Sequence, residues 1–406
     1  LQYIPTLLII SVFALSLVRN IGKFKIRIWQ LAFAAAVLCL ITERISLKQA
    51  FYSINFDVIF FLFGMFCVGS AIEKSGLAKY LTSYILIYIK NIDSLLLFII
   101  FFCAIVSAFL MNDTTAAIIT PIILIFAKTL HLNPKKLVIT SMLAITIGSC
   151  ASPIGSPQNI LIVSHIPHSN PFILYAKYLA LPTMLNLILL FLYAKFNFEQ
   201  KILYHETKKP EFSDRNLAML SIYSIIALVG LVFLKAFFIT DMPLLYIALI
   251  PAAIVLSHKE RIEIIKDVDY KTLIFFIGLF ILIKAFWDSN VLQTLILSNH
   301  LNLASIYVIF IITVIASQFV SNVPLVTLYL QVLSSYHVGW LAYLALSVAS
   351  SIAGNIFLLG AASNIIIAEN LEKHTQQTIT SFEFFKYSII LTVINIFVYL
   401  AVFAII

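Results

Sequence analysis

Ser149 to Asn159 reads SCASPIGSPQN, and Ala353 to Asn364 reads AGNIFLLGAASN. Each stretch interrupts a long apolar run, 137–165 in the first case and 338–368 in the second. Pro153, Gly155 and Pro157 fall within five residues. Proline lacks a donor and glycine disfavours the helix, so no regular helix crosses this stretch. Unwound backbone at membrane depth is tolerated only where protein covers it or where it lines a watery cavity. Free N–H groups at the start of a half-helix carry partial positive charge, and free C=O groups at the end of another carry partial negative charge. Facing breaks of this kind can hold an anion or polar solute at the helix starts and a cation among carbonyl, Asn and Ser oxygens. A kink without a ligand is the plainer reading of one break. Two breaks in equivalent places favour a site.

Composition places these runs in a membrane. Of 406 residues, 62% are hydrophobic and 11% charged, and the mean hydropathy is +1.05. Soluble domains are about 45–50% apolar and about 25% charged. A soluble fold of this composition would expose large apolar patches, and disorder needs the opposite composition. The apolar runs are continuous, not alternating, which excludes an outer-membrane barrel. The expected class is an all-α polytopic membrane protein of roughly ten spans, at about 20 residues each. Cys39, Cys67, Cys103 and Cys150 lie far apart inside apolar runs, without metal spacing, and read as small packing residues.

The two halves repeat each other. Glu43-Arg44-Ile45 is echoed by Glu260-Arg261-Ile262, and Phe63-Gly64-Met65-Phe66 by Ile277-Gly278-Leu279-Phe280. Ser107-x-Phe109-x-x-Asn112 matches Ser317-x-Phe319-x-x-Asn322, and Gly155-x-x-x-Asn159 matches Gly360-x-x-x-Asn364. The offsets are 217, 214, 210 and 205, which drift one way and keep their order. A polar linker, 196–215, separates a first repeat over 1–195 from a second over 216–406. The stretches 94–127 and 303–336 carry a polar break in the middle, with limbs of about 14–18 residues, short for full spans. They are expected to be re-entrant hairpins, leaving about five spans per half. An odd number inverts the second repeat relative to the first, as in many secondary transporters. With both termini outside, 21 of the 26 Lys and Arg face the cytoplasm and only Arg44, Lys48, Lys177, Lys235 and Lys284 face out. That asymmetry obeys the positive-inside rule and accounts for the net charge of +8. The charge marks a cytoplasmic face on anionic lipid and gives no reason to expect nucleic acid.

Two further polar clusters are the hairpin tips, Met111 to Thr115 and Ser321 to Pro324. Asp113 is the one Asp or Glu within either hairpin. An acid at membrane depth is costly and is a functional candidate by default. It can carry a proton or hold Na⁺. The competing reading is a cap on the helix that follows, since Asn-Asp before an apolar run is a good start signal. No Lys, Arg or His adjoins the four clusters except Lys128 and His165 at segment ends. A multivalent anion would have only amides and helix dipoles there, each worth about 0.3–1 kcal/mol.

Asn112-Asp113-Thr114-Thr115-Ala116-Ala117 with Thr120-Pro121, followed by Ser152-Pro153-Ile154-Gly155-Ser156-Pro157-Gln158-Asn159, resembles the ion transporter superfamily. That group includes arsenite exporters, NhaD-type sodium/proton antiporters, divalent anion/sodium symporters and silicic acid exporters. Ser321-Asn322-Val323-Pro324 and Gly360-Ala361-Ala362-Ser363-Asn364 agree, and the likeness covers essentially the whole chain. It implies a scaffold (1–90 and 216–300) and a mobile transport part (91–195 and 301–406). It implies substrate binding by Asn112, Thr114, Ser152, Gly155, Ser156, Asn159, Ser321, Asn322, Asn355, Gly360, Ser363 and Asn364. Gly354 belongs to the same half-site. Asp113, with Asn112 and Asn322, would couple transport to H⁺ or Na⁺. Any Na⁺ would sit near Asn112, Asp113, Gly155, Asn322 and Gly360. Dicarboxylate symporters carry Ser-Asn-Thr at each tip, whereas Val323 here offers no hydroxyl and Asp113 adds a carboxylate. The tips thus look closer to the arsenite and silicic acid exporters.

The resulting expectation is a secondary active carrier in the cytoplasmic membrane, working by alternating access on a small anion, oxyanion or metalloid. A Na⁺-coupled citrate-type symporter and an NhaD-like exchanger are the alternatives. No enzyme is expected, since the buried acid has no catalytic partner, and no cofactor beyond the coupling ion. The chain carries no GxxxxGK[ST] nucleotide loop. Lipid, a homodimer partner and a separate ATPase subunit remain open as partners.

Overall fold

The computed structural model describes residues 3–17, 20–21, 24–25, 28–86, 88–89, 91–166, 170–198, 212–239, 241–291, 294, 302–318, 322–336 and 338–406. It is all-helical apart from a two-residue ladder, Asn20↔Lys25 and Ile21↔Phe24. The first half holds α1 (Ile4–Leu17), α2 (Ile28–Ile41), α3 (Leu47–Ser53), α4 (Phe56–Lys74), α5 (Leu77–Leu86), α6 (Ile92–Leu110), α7 (Asn112–Thr129), α8 (Pro134–Ser149), α9 (Pro157–Val163), α10 (Pro171–Tyr178) and α11 (Ala180–Asn197). The second holds α12 (Arg215–Phe237), α13 (Leu244–Leu256), α14 (Arg261–Lys266), α15 (Tyr270–Asp288), α16 (Ile306–Ala316), α17 (Asn322–Ser335), α18 (Trp340–Ala353), α19 (Ala362–Thr375) and α20 (Ser381–Ile405). A 3₁₀ turn, Leu358–Gly360, sits between α18 and α19.

Local chemistry sets the starts. Asn133 before Pro134, Ser156 before Pro157 and Asn170 before Pro171 each cap the helix with a side-chain oxygen. Proline at the first helical position costs nothing there, because its missing N–H would be unpaired anyway.

Six helices are long and apolar enough to cross a membrane by length and composition: α4, α6, α11, α12, α15 and α20. Roughly ten were expected from the apolar runs. The difference lies in helices cut short by turns, such as α2, α13 and α18, and in the two broken runs. The segments 137–165 and 338–368 are indeed interrupted, into α8 and α9 and into α18 and α19.

Both hairpins fold back on themselves. The Phe98 and Phe126 rings, near the open ends of α6 and α7, lie 6.1 Å apart. The Tyr329 hydroxyl of α17 donates to the Leu303 carbonyl just ahead of α16, at 2.9 Å. The first limb is 19 residues, longer than the 14–18 expected, while α16 has only 11.

Packing relates the halves. α4 lies along α13, and α15 along α2; α7 lies against α19, and α17 against α9; α6 packs on α8, and α16 on α18. Exchanging each helix for its counterpart in the other half turns one member of each pair into the other. The matched glycines sit at the first two crossings. A Cβ at Gly64 would come within 2.8 Å of the Ala248 backbone, and one at Gly278 within 2.9 Å of Ala32 and Phe33 backbone. α4 and α15 run in opposite directions. Lys74 at the end of α4 pairs with Asp267 before α15 at 2.7 Å, and Ser53 before α4 shares a cavity with Lys284 near the end of α15.

Candidate functional site

The first tip turns on one residue. Met111 joins α6 to α7 with φ 67° and ψ 151°, a region essentially reserved for glycine and costing about 1–3 kcal/mol. The turn is held because the Asn112 N–H donates to the Gly155 carbonyl of the broken run at 2.9 Å. A side chain at Gly155 would collide with the Ser149 backbone. Asn159 closes the break by donating to the Ser149 and Ser152 carbonyls at 3.0 and 2.9 Å.

The second break is built in the same way. Asn364 donates to the Gly354 carbonyl at 2.9 Å, ten residues back, as Asn159 does to Ser149. The Asn322 amide lies against Gly354, and Gly360 packs on the same glycine. Ser321 lies outside the described residues. The two breaks meet: Ser347 of α18 donates to the Asn159 side-chain oxygen at 2.8 Å, and the Tyr175 hydroxyl donates to Ser347 at 2.9 Å. The oxygens of Asn322 and Asn364, the Ser363 hydroxyl and the whole Asn355 amide are buried without a hydrogen-bond partner among the described residues. Such groups cost free energy unless a ligand or water meets them.

Asp113 does not cap its own helix. The N-cap of α7 is Met111, which makes no side-chain bond. The Asp113 carboxylate instead lies beside the backbone N–H of Ser363, in the first turn of α19. α19 has no cap of its own, since its N-cap is Ala361. At the matching place in the first half, Ser156 caps α9 with its own hydroxyl, and Val323 stands where Asp113 would be. The acid therefore joins the first hairpin to the second broken helix, at the positive end of that helix.

Asp113 also lines a cavity of about 160 Å³ between α4, α7, α15 and α19. Glu73, Asp267 and Asp269 line it too, with no Lys, Arg or His. The buried hydroxyls of Ser70 and Thr114 line the same space and have no partner among the described residues. Ser152 accepts from the Ile154 N–H at 3.3 Å and shapes the turn. Cys150 does not face this cavity; it is buried beside Tyr399 and Ser351.

Two features escape a motif reading. Thr183-x-x-Asn186 on α11 recurs as Thr392-x-x-Asn395 on α20, at an offset of 209 that falls among the other repeat offsets. All four side chains are buried. Thr183 bonds Tyr399 at 2.7 Å, Asn186 lies against the same hydroxyl, and Thr392 donates to the Asn355 carbonyl at 3.3 Å. The second is His258. It is buried and lies 3.6 Å from Asp214. Asp214, His258 and Glu260 bring ligand atoms within 4.8 Å of one another. Asp214 caps α12 and His258 accepts from the Glu260 N–H, so the group serves the turn. The backbone N–H of Leu217 holds the Asp214 carboxyl below its usual range.

Known proteins agree with this architecture. A 46 kDa membrane protein of Mycobacterium leprae is 25% identical over 391 residues, covering 90% of each chain. An uncharacterised transporter of Mycobacterium tuberculosis is 24% identical over 401 residues, covering 93% of each. The human P protein matches over 164 residues at 28% identity, 40% of this chain and 20% of that one. The crystal structure of the YdaH transporter from Alcanivorax borkumensis shares the fold, with a TM-score of 0.60, 13% identity and coverage of 100% and 97%. Residues 7–343 match the CitMHS family, described as citrate transporter, and the chain belongs to that family. Nothing in these matches singles out the arsenite and silicic acid branch.

Proposed function

We propose that this member of the citrate transporter family is a secondary active carrier for a small, oxygen-rich anion of the carboxylate class. It works in the cytoplasmic membrane by alternating access, with Asp113 coupling transport to H⁺ or Na⁺. The observation that carries the reading is the Asp113 carboxylate on the α19 N-terminus, at the wall of a cavity between α4 and α15 on one side and α7 and α19 on the other. Protonation or ion binding at this carboxylate changes its hold on α19, and so links ion occupancy to the position of the tip. The helices α1–α5 and α12–α15 act as scaffold, and the hairpins, broken helices, α11 and α20 as the moving part. The exchange of packing partners between the halves and the opposed run of α4 and α15 support an inverted repeat, and the Lys and Arg asymmetry supports termini on the outer side.

Substrate lies between the tips, met by Asn112, Thr114, Asn322, Asn355, Ser363 and Asn364. A neutral oxyacid such as arsenious or silicic acid is the second reading. It is favoured by the cavity at Asp113, which has no basic side chain in its lining. NhaD-like Na⁺/H⁺ exchange is the third.

The test is transport in proteoliposomes of citrate, succinate, sulfate, arsenite, silicate and Na⁺ under imposed H⁺ and Na⁺ gradients. Citrate or a related carboxylate is expected to accumulate, and Asp113→Asn to abolish gradient-driven accumulation in a folded protein. Unaltered pH and Na⁺ dependence in that variant overturns the coupling role.

A further inference from the structure

The clusters around the breaks contain no basic side chain, which leaves an anion with little charge compensation there. The opposite end of the α4 and α15 pair is different. A cavity of about 440 Å³ lies between α3, α15 and α17. Lys48, Gln49 and Tyr52 face it from α3, Lys284 from α15, and Thr327 and Gln331 from α17. Every one of these side chains can donate a hydrogen bond, and two carry a positive charge. Among the described residues, Lys48 has no ion-pair partner, whereas Lys284 pairs with Asp288 at 2.7 Å. Thr327 stands one helical turn from Val323, so the cavity reaches α17 about 7.5 Å along the helix axis from Asn322 at its start, at 1.5 Å per residue.

The two ends carry opposite charge at corresponding places. The repeat offset of 214 sets Lys284 against Ser70, and the offset of 210 sets Val323 against Asp113. One cavity is thus lined by Asp113, Glu73, Asp267 and Asp269, and the other by Lys48 and Lys284. Between Thr272 and Lys284 α15 rises about 18 Å, so the two cavities sit at different depths.

We propose that the lysine-lined cavity is an anion-binding vestibule, at which a small carboxylate docks on Lys48, Lys284 and the Gln331 amide before it reaches the second hairpin tip. The inference rests on the carboxylate-carrier reading and adds where the substrate is first held. Lys48 supplies an uncommitted charge. Lys284 exchanges Asp288 for the substrate carboxylate. Tyr52, Thr327 and Gln49 offer neutral donors around it. Charged clefts of this kind raise the local concentration of the opposite ion and weaken as salt is added.

The experiment measures equilibrium binding of labelled citrate to the purified full chain in nanodiscs, at low and high ionic strength. Lys48→Gln with Lys284→Gln is expected to weaken binding about tenfold or more and to flatten its salt dependence. Lys48→Glu with Lys284→Glu should weaken it further, and Lys48→Arg with Lys284→Arg should retain most of it. Lys48→Gln alone leaves the Lys284–Asp288 pair intact and tests the site if the double variants elute as aggregates. Lysine-independent citrate binding overturns the vestibule and leaves the carrier reading standing. An unsubstituted protein that binds no citrate overturns both.

Discussion

At the scale of single residues, the exchange between the halves explains why Asp113 is where it is. Ser156 caps α9 from within, and its counterpart Ala361 leaves α19 uncapped. Asp113 stands before that end from α7, opposite an N-terminus whose dipole favours a carboxylate. The residue thus has two roles that one substitution cannot separate. Asp113→Asn is expected to cost about 0.3–1 kcal/mol, through loss of the charge facing the α19 N-terminus, and also to end coupling. Adding Ala361→Ser should return most of the lost stability, because it gives α19 the cap that α9 has. It should not return gradient-driven accumulation. Thermal unfolding of the purified single and double variants, beside uptake by each, separates the roles; recovered accumulation in the double variant would show that Asp113 is a cap and nothing more. The sequence made Asp113 a candidate through its isolation in an apolar hairpin. It could not show the approach to Ser363, because that residue lies 250 residues away and is met at its backbone.

At the scale of elements, the breaks and both hairpins were legible because proline, glycine and polar residues interrupt the apolar runs. Asn159 and Asn364 stood out as matched residues, and their shared clasp on a carbonyl ten residues back follows from that match. Span number was less legible, since α2 and α13 are apolar throughout but only 14 and 13 residues long, stopped by Thr42-Glu43-Arg44 and by Ser257-His258-Lys259. The lysine-lined cavity was hidden for another reason: Lys48 and Lys284 lie at segment ends that only tertiary packing joins to α17. The helix crossings offer a symmetric test. Gly64→Ala and Gly278→Ala each place a methyl under 3.0 Å from a neighbouring backbone, so each should destabilise by about 1–3 kcal/mol, through overpacking at its own crossing. Similar losses in thermal stability would match the equivalent crossings; an unaffected Gly278→Ala would place α15 farther from α2. The start of α12 gives a pH test. Asp214 has its carboxyl lowered, first by the Leu217 N–H. Its contribution is therefore present above the ordinary carboxylate range and fades as pH falls through the lower folded value. Asp214→Ala should cost about 1 kcal/mol at neutral pH and remove that part of the acid dependence. Unfolding followed from pH 7 downward in both proteins would show parallel curves if the cap did not matter.

At the scale of the whole molecule, the proposed scaffold and the proposed moving part touch beside the Asp113 cavity. α4 meets α7 beside the Asp113 cavity, and the contact is close: a Cβ at Gly69 would lie 3.8 Å from the Thr114 Cβ. That separation is the mean for a disulfide. A protein carrying Gly69→Cys and Thr114→Cys, with the buried Cys39, Cys67, Cys103 and Cys150 replaced, should form the bond on mild oxidation. If α7 and its hairpin travel past α4 during the cycle, the oxidised protein binds citrate but stops turning over, and reduction restores the rate of the same sample. Because oxidised and reduced states share one sequence, any loss from the substitutions themselves cancels. A cycle in which the first tip stays fixed to α4 predicts equal rates in the two states. Equal rates would confine the motion to the second hairpin and α19, and coupling would then run through the approach of Asp113 to the start of α19 alone, with no displacement of the α6–α7 pair.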